Sequence, residues 1–406
     1  MISKQLVIVA ALAGFTTSVH AQWTVTNLHP PGLSSGWQSE ALAISGGQQV
    51  GLVFGGSGVG RAILWSGSAA SWIDLSPPGS SWSRAVAVSG GQQVGSATIG
   101  NTRAGLWNGT AASWVDLHPT ATTGTINAYS GAIATSGGQQ VGFVAIRKAG
   151  APGISGVPHA SLWSGSAESW VDLHPAGADA SAAYGISGGQ QAGLVALGGV
   201  VRASLWSGTA ESWVDLNPTN STWSRAEAIS DGQQAGWVVV DDVTRASLWS
   251  GSAESWVDLN PESSTLSRAY ATNGEHQAGY VEVAGVFRAS LWSGTAASWI
   301  DLHAFLPVEF SSSQARGISN DGVTLSVVGF GFNSVTQREE ALLWTMPLPS
   351  ACYADCDENG TLDTFDYICF GNAYVANEPY ADCDGDGDFD IFDYICFGNA
   401  YAAGCP

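Results

Sequence analysis

Two stretches of twelve residues near one end of the sequence carry carboxylates at matched places. The first runs from Asp355 to Asp366 and the second from Asp382 to Asp393. Oxygen-bearing side chains stand at the first, third, fifth, ninth and twelfth places. They are Asp355, Asp357, Asn359, Asp363 and Asp366 in one copy, and Asp382, Asp384, Asp386, Asp390 and Asp393 in the other. Glycine holds the sixth place (Gly360, Gly387), where the chain must turn sharply, and Leu362 or Phe389 holds the eighth. Thr361 and Asp388, at the seventh, would offer backbone carbonyls. One such loop gathers roughly six to eight hard oxygens round a cation, which is the coordination calcium takes. Two loops imply two calcium ions. The competing reading, an acidic solvated tail, would not repeat a ligand spacing with glycine fixed at one place.

The same segment holds all six cysteines: Cys352, Cys356, Cys369, Cys383, Cys396 and Cys405. An even number in a short acidic stretch reads as disulfides. Zinc fits poorly, because there are no paired CxxC knuckles and no histidine nearby. The internal twofold repetition favours Cys352 with Cys405 as an outer clasp. The other four would pair within or across the two halves. Each loop runs into Tyr-Ile-Cys-Phe-Gly-Asn-Ala-Tyr, a short helix starting at Phe365 or Phe392. Pro349 and Pro379 prevent a helix from entering either loop, so the order is loop-helix, twice. From Ala351 onward there are twelve acidic residues and no Lys or Arg. So small a segment buries little core and needs staples, which metal and disulfides supply.

The ligand spacing is that of an EF-hand loop. With Asp at the twelfth place and no entering helix, residues 352–406 resemble the type I dockerin family. The resemblance implies calcium at the ligands named above and docking to an extracellular or envelope protein. The segment departs from that family in its cysteines. It also has Thr364-Phe365 and Ile391-Phe392 where small hydroxyl residues commonly read the partner.

The rest of the chain is repetitive. Leu-Trp recurs at Trp65, Trp107, Trp163, Trp206, Trp249, Trp292 and Trp344. Seven residues after each of the first six comes a second Trp, opening the phrase Trp-Val/Ile-Asp-Leu. A looser copy, Trp23 to Pro30, precedes them all. Ser-Gly-Gly-Gln-Gln recurs from Ser45, Ser89, Ser136 and Ser187, and later units have Asp231-Gly232, Asn273-Gly274 and Asp321-Gly322 in its place. These pairs tolerate positive φ at both positions of a type I′ turn, so each unit contains a hairpin. Each unit then reads as four short strands in about 43 residues, a β-propeller period. Seven three-strand sets lie at 41–65, 85–107, 132–163, 182–206, 226–249, 269–292 and 315–344. The last set has no fourth strand after it, so the N-terminal strand is expected to complete that blade. A linear solenoid is the alternative, but no unit looks like a cap. The phrases also resemble HAF repeats, with Ala43-Ile44-Ser45 through Gln49-Val50-Gly51 as one copy and the match covering most of residues 40–330. That likeness implies a surface or secreted location.

The expected organisation is a signal peptide over 1–21, a seven-bladed β-propeller over 22–345, a linker over 346–351 and the two-calcium module over 352–406. The leader reading rests on Lys4, the apolar run Leu6 to Phe15, and Val19-His20-Ala21 before a cleavage point. The run is too short to span a membrane, and no later segment is long and apolar enough. A net charge of −21 with 12% charged residues argues against nucleic acid as a partner.

For catalysis the sequence offers little. His29, His118, His174 and His303 occupy one recurring turn, and the repeated Asp residues read as scaffold. Trp37, Trp82 and Trp223 are candidates for a ligand-facing set that stacks on sugars, against a plainer role in packing between blades. The insertion Arg147–His159 breaks the symmetry. The expectation is a secreted or surface binding protein, with a polysaccharide as a further candidate partner. A polysaccharide-degrading enzyme and an architectural envelope component are the alternatives.

Overall fold

A computed structural model describes residues 23–348, apart from 57, 121–124 and 149–155, and residues 352–405, apart from 358, 385 and 386. The expected signal peptide, Asp386, and much of the insertion in the third unit lie outside the described residues. Two compact units result, one running from Trp23 to Met346 and one beginning at Pro347.

The first unit is a seven-bladed β-propeller. Seven antiparallel four-stranded sheets follow one another, each in simple up-and-down order. In blade 5 the strands are Trp223–Ser230, Gln233–Val240, Val243–Trp249 and the two-residue outer strand Val257–Asp258. Blade 7 takes its outer strand from the chain's start: Thr24–Asn27 pairs with Leu342–Thr345. Its third strand, Arg338–Pro347, runs two residues into the expected linker. Proline is tolerated at that last place, where no further ladder N–H is needed.

Local chemistry makes the hairpins. Gly46 and Gly47, with φ of 56° and 75°, and Asp231 and Gly232, with φ of 49° and 75°, take the left-handed conformations a type I′ turn requires. Blades 6 and 7 differ from the sequence expectation. There the turn is longer and Asn273 does not have positive φ; Asn273 Oδ1 instead accepts the N–H groups of Glu275 and His276. Asp321 Oδ1 does the same for Val323 and Thr324.

Every inner strand also carries a β-bulge at the same place. The residues left out of the ladder are Leu42, Val86, Ile133, Tyr184, Glu227, Tyr270 and Arg316. The bulge drives the inner strand onto its neighbour, so a Cβ at Gly236 would land on the Arg225 carbonyl oxygen. The glycine of each Gln-x-x-Gly phrase answers that close approach.

The apolar core lies between blades. Val50, Ala62, Leu64 and Leu75 of blade 1 pack on Ala85, Val88 and Trp107 of blade 2. The Leu-Trp tryptophans are fully buried in all seven blades. Polar atoms join the blades too. The outer strand is so short that the third strand's outward N–H outlasts it. Ala203 O accepts Leu216 N–H, while Ala203 N–H finds Ser224 Oγ of the next blade at 2.8 Å. The same bond recurs at every interface, from Ala62 to Ser83 through Ala341 to Ser39 across the closure.

Ser224→Ala is expected to leave that buried N–H unpaired and to cost about 1–3 kcal/mol. Gly236→Ala should cost a similar amount, about 1–3 kcal/mol, by overpacking. Urea unfolding of the two variants against the parent checks both.

Candidate functional site

The second unit is a small helical module. Helix α1 spans Thr364–Val375 and α2 spans Ile391–Ala403. A 3-10 turn at Pro379–Ala381, rather than an α-helix, precedes the second loop. Phe370 and Phe397, both fully buried, stack at 4.2 Å across the helix pair. Disulfides join Cys352 to Cys405, Cys356 to Cys369 and Cys383 to Cys396. The choice left open by the sequence falls within each half, where a loop's second residue is tied to its own helix.

The acidic loops are folded tightly. Asp355 accepts the N–H groups of Asn359 at 3.1 Å and Gly360 at 2.8 Å. Gly360 and Gly387 have φ of 79° and 86°, left-handed as the sharp turn demands. Asn359 Nδ2 donates to Asp357 at 2.9 Å, and Thr361 Oγ1 donates to Asn359 Oδ1. Asp363 and Asp390 cap the helices, each accepting an N–H two residues on at 2.7 Å. Asp366 and Asp393 close capping boxes, accepting the N–H groups of Asp363 and Asp390 at 2.8 Å.

Two carboxylate clusters result. Asp355, Asp357 and Asp366 each place an oxygen within 4.8 Å of the others, and so do Asp382, Asp384 and Asp393. Asp363 and Asp390 are not among these mutually close groups. Asp366 and Asp393 are fully buried, and Asp382 Oδ1 is a buried oxygen with no hydrogen-bond partner among the described residues. Buried carboxylates require a counter-charge, and no Lys or Arg follows residue 350. Either cluster could therefore hold a metal ion. All six cysteines are in disulfides, so the donors on offer are hard oxygens.

In the propeller, the recurring histidines are parts of the blade junctions. Nδ1 of His118, His174 and His303 lies 2.8 Å from the Oγ of Ser130, Ser181 and Ser313, and His29 stands 2.9 Å from Ser39. Where Asn217 replaces histidine, Ser224 Oγ donates to its Oδ1 at 2.6 Å. Nε2 of His118 and His174 faces the carbonyls of Asn127 and Ala178. The repeated Asp residues fix the same turn and pair with a third-strand arginine in five blades, as Asp215 does with Arg202 at 2.7 Å, and with His159 in blade 3. Trp37, Trp82 and Trp223 sit on blades 1, 2 and 5. Trp37 rests against Gly55, and Trp82 covers Gly60 of the preceding blade. Trp223 is 53% exposed and lines a groove with Val200 and Arg202.

The sequence reading passed over four arginines on the inner strands: Arg84, Arg225, Arg268 and Arg316. The signal was present in the Ser-Arg-Ala phrases of three units, which vary where the rest of the repeat does not.

No protein-family model matches the chain, and no curated protein matches it. Solved structures share its fold. A puromycin hydrolase is 10% identical with a TM-score of 0.53, over 74% of this chain and 53% of that one. The β-propeller domain of the Trilobed protease from Pyrococcus furiosus is 7% identical with a TM-score of 0.50, over 77% and 97%. The chain thus spans about half the length of the puromycin hydrolase it matches. At these identities the likeness is one of fold.

Burial, first among the causes, holds His29, His118, His174 and His303 below their ordinary value of 6.5. A histidine depressed on folding contributes stability that is complete above 6.5 and is lost as pH falls through the lowered value. Urea midpoints of the propeller are expected to drop between pH 7.5 and pH 5. His118→Asn with His174→Asn, copying blades 4 and 5, should flatten that dependence.

Proposed function

We propose that this is an exported, non-enzymatic binding protein. Its ring serves as a recognition scaffold, and its C-terminal module, folded round two calcium ions, docks it to an extracellular or envelope protein. The observation that carries the docking half is the outer surface of the two helices. Phe365 and Ile368 on α1, and Ile391, Phe392 and Ile395 on α2, are each more than half exposed. The spacing makes one apolar stripe per helix, opposite the buried Phe370 and Phe397. Apolar stripes on an otherwise acidic fragment are surface to be covered by a partner.

Calcium is the reading favoured by the donors. Carboxylate, amide and carbonyl oxygens suit a hard cation, and neither thiolate nor imidazole is on offer. Asp355, Asp357, Asn359, Asp363 and Asp366 would hold one ion, and Asp382, Asp384, Asp386, Asp390 and Asp393 the other, with Thr361 and Asp388 offering carbonyls. When bound, the ion neutralises the clustered carboxylates. Asp366 and Asp393 reach from the clusters into the first turns of the helices, so the loops set where each stripe begins. Three disulfides in one small module suit an oxidising compartment, in keeping with residues 1–21 as an export leader.

Calorimetric titration of the chelator-stripped protein is expected to find two calcium sites, with Asp366→Asn and Asp393→Asn each weakening one by more than about tenfold. EDTA should reduce the helical CD signal and lower the module's melting temperature; an unchanged spectrum and melting curve would overturn the calcium reading. Phe365→Ser combined with Phe392→Ser should lower capture of a native envelope partner by more than about tenfold while sparing calcium stoichiometry.

A further inference from the structure

The inner strands of consecutive blades contact one another round the whole ring, so they surround its axis. Their varied positions carry charge. One place after the junction serine stand Glu40, Arg84, Arg225 and Arg268. At the bulge stand Tyr184, Glu227, Tyr270 and Arg316. Arg84 lies 5.7 Å from the ring of Trp82 on its own strand, and the other three guanidiniums lie against rings of the preceding blade. Arg225 is 3.6 Å from the Tyr184 centroid, Arg268 is 4.8 Å from Trp237, and Arg316 is 4.1 Å from Tyr270. Arg225 also pairs with Glu227 at 2.9 Å.

These cations are only partly compensated: Arg225 pairs with Glu227 and Arg268 hydrogen-bonds with Tyr270. Among the described residues, Arg84, Arg268 and Arg316 form no ion pair, and the buried Nε of all four arginines has no hydrogen-bond partner. The nearby carboxylates are Glu40, Glu227 and Glu339, and burial followed by the charge of Glu339 pushes Glu40 up to about 7. A chain of net charge −21 thus concentrates four of its thirteen Lys and Arg residues on its innermost strands. Partly buried guanidiniums whose Nε lacks an acceptor are receptive to anions, and their planar fork fits carboxylate and sulfate.

Blades 3 and 4 break the pattern. Gly131 and Ala182 stand where blades 2, 5 and 6 carry arginine, and beside them lies a cavity of about 290 Å³ lined by Tyr129, Phe143, Pro158, Ala182, Tyr184 and Leu194. That approaches the smallest of ordinary ligand pockets, about 300 Å³. Tyr184 joins the two features, lining the cavity and stacking with Arg225.

We propose that the inner strands bind a short acidic saccharide, with its carboxylate or sulfate groups on Arg84, Arg225, Arg268 and Arg316 and a sugar face in the aromatic cavity between blades 3 and 4. Aromatic walls suit the apolar face of a pyranose, and the guanidiniums suit its charges. The chain's overall negative charge disfavours long polyanions, so a short ligand is the better fit. This inference is independent of the docking module, and failure of the calcium tests leaves it standing.

The test is calorimetry on the full chain with trigalacturonate, a sulfated disaccharide, a neutral trisaccharide and triglutamate. An acidic saccharide should bind at least about tenfold more tightly than the neutral one, and added salt should weaken it. The arm that binds tells carboxylate from sulfate. Arg268→Gln and Arg316→Gln should each weaken binding by about tenfold or more without a large change in melting temperature. Ala182→Phe, which fills the cavity and leaves the charge alone, should abolish it and decides the matter if the arginine variants do not fold. Equal affinity for the neutral sugar, absence of binding, tighter binding of triglutamate, or variants that bind like the parent would each overturn the proposal.

Discussion

The ring rests on a single polar contact made seven times. An outer strand of two residues, or of four in blade 7, ends before the next outward N–H of the third strand and leaves it without a ladder partner, and a buried donor of that kind is costly. The serine that opens the following blade accepts it, and the same hydroxyl hydrogen-bonds with a histidine, asparagine or serine in the connecting turn. One hydroxyl thereby satisfies a backbone group of one blade, anchors the inner strand of the next and fixes the loop between them. The apolar core alone would be non-directional. The serine contact sets the register in which each blade meets its neighbour.

Because the same residues recur at each junction, they are consumed by the scaffold. The Asp of each Trp-Val-Asp-Leu phrase and the turn histidines look chemically capable in isolation, yet each is bonded within the ring. Individuality is confined to the positions that the junction leaves free: the residue after the serine and the bulged residue. There the blades diverge, from Gly131 in one to Arg268 in another, and there the electrostatic character of the ring is set.

Much of this was legible in the sequence, and for identifiable reasons. Gly-Gly and Asp-Gly dictate turns through φ alone, so the hairpins and the four-strand period could be read directly. The surplus N-terminal strand and the unfinished last blade gave closure by counting. The bulge could not be read, because it depends on how two strands meet; the invariant glycine opposite it was visible, but its reason was not. Without the bulge, neither the direction of Arg316 nor its neighbour Tyr270 could be assigned. In the acidic module the spacing marked the loops, but only the folded capping boxes show that Asp363 and Asp390 double as helix caps. The disulfides were open until the helices placed Cys369 and Cys396 over their own loops.

Closure by the N-terminal strand has a kinetic side. Thr24–Asn27 is the earliest part of the ring to be synthesised, and its partner Leu342–Thr345 is the latest. The intervening chain must be joined end to end before the seventh sheet exists, and long-range pairing of this kind is slow to form. Until then both a strand edge and a blade face stay open to other chains. The ring is therefore most vulnerable to misassembly just before its last blade is complete.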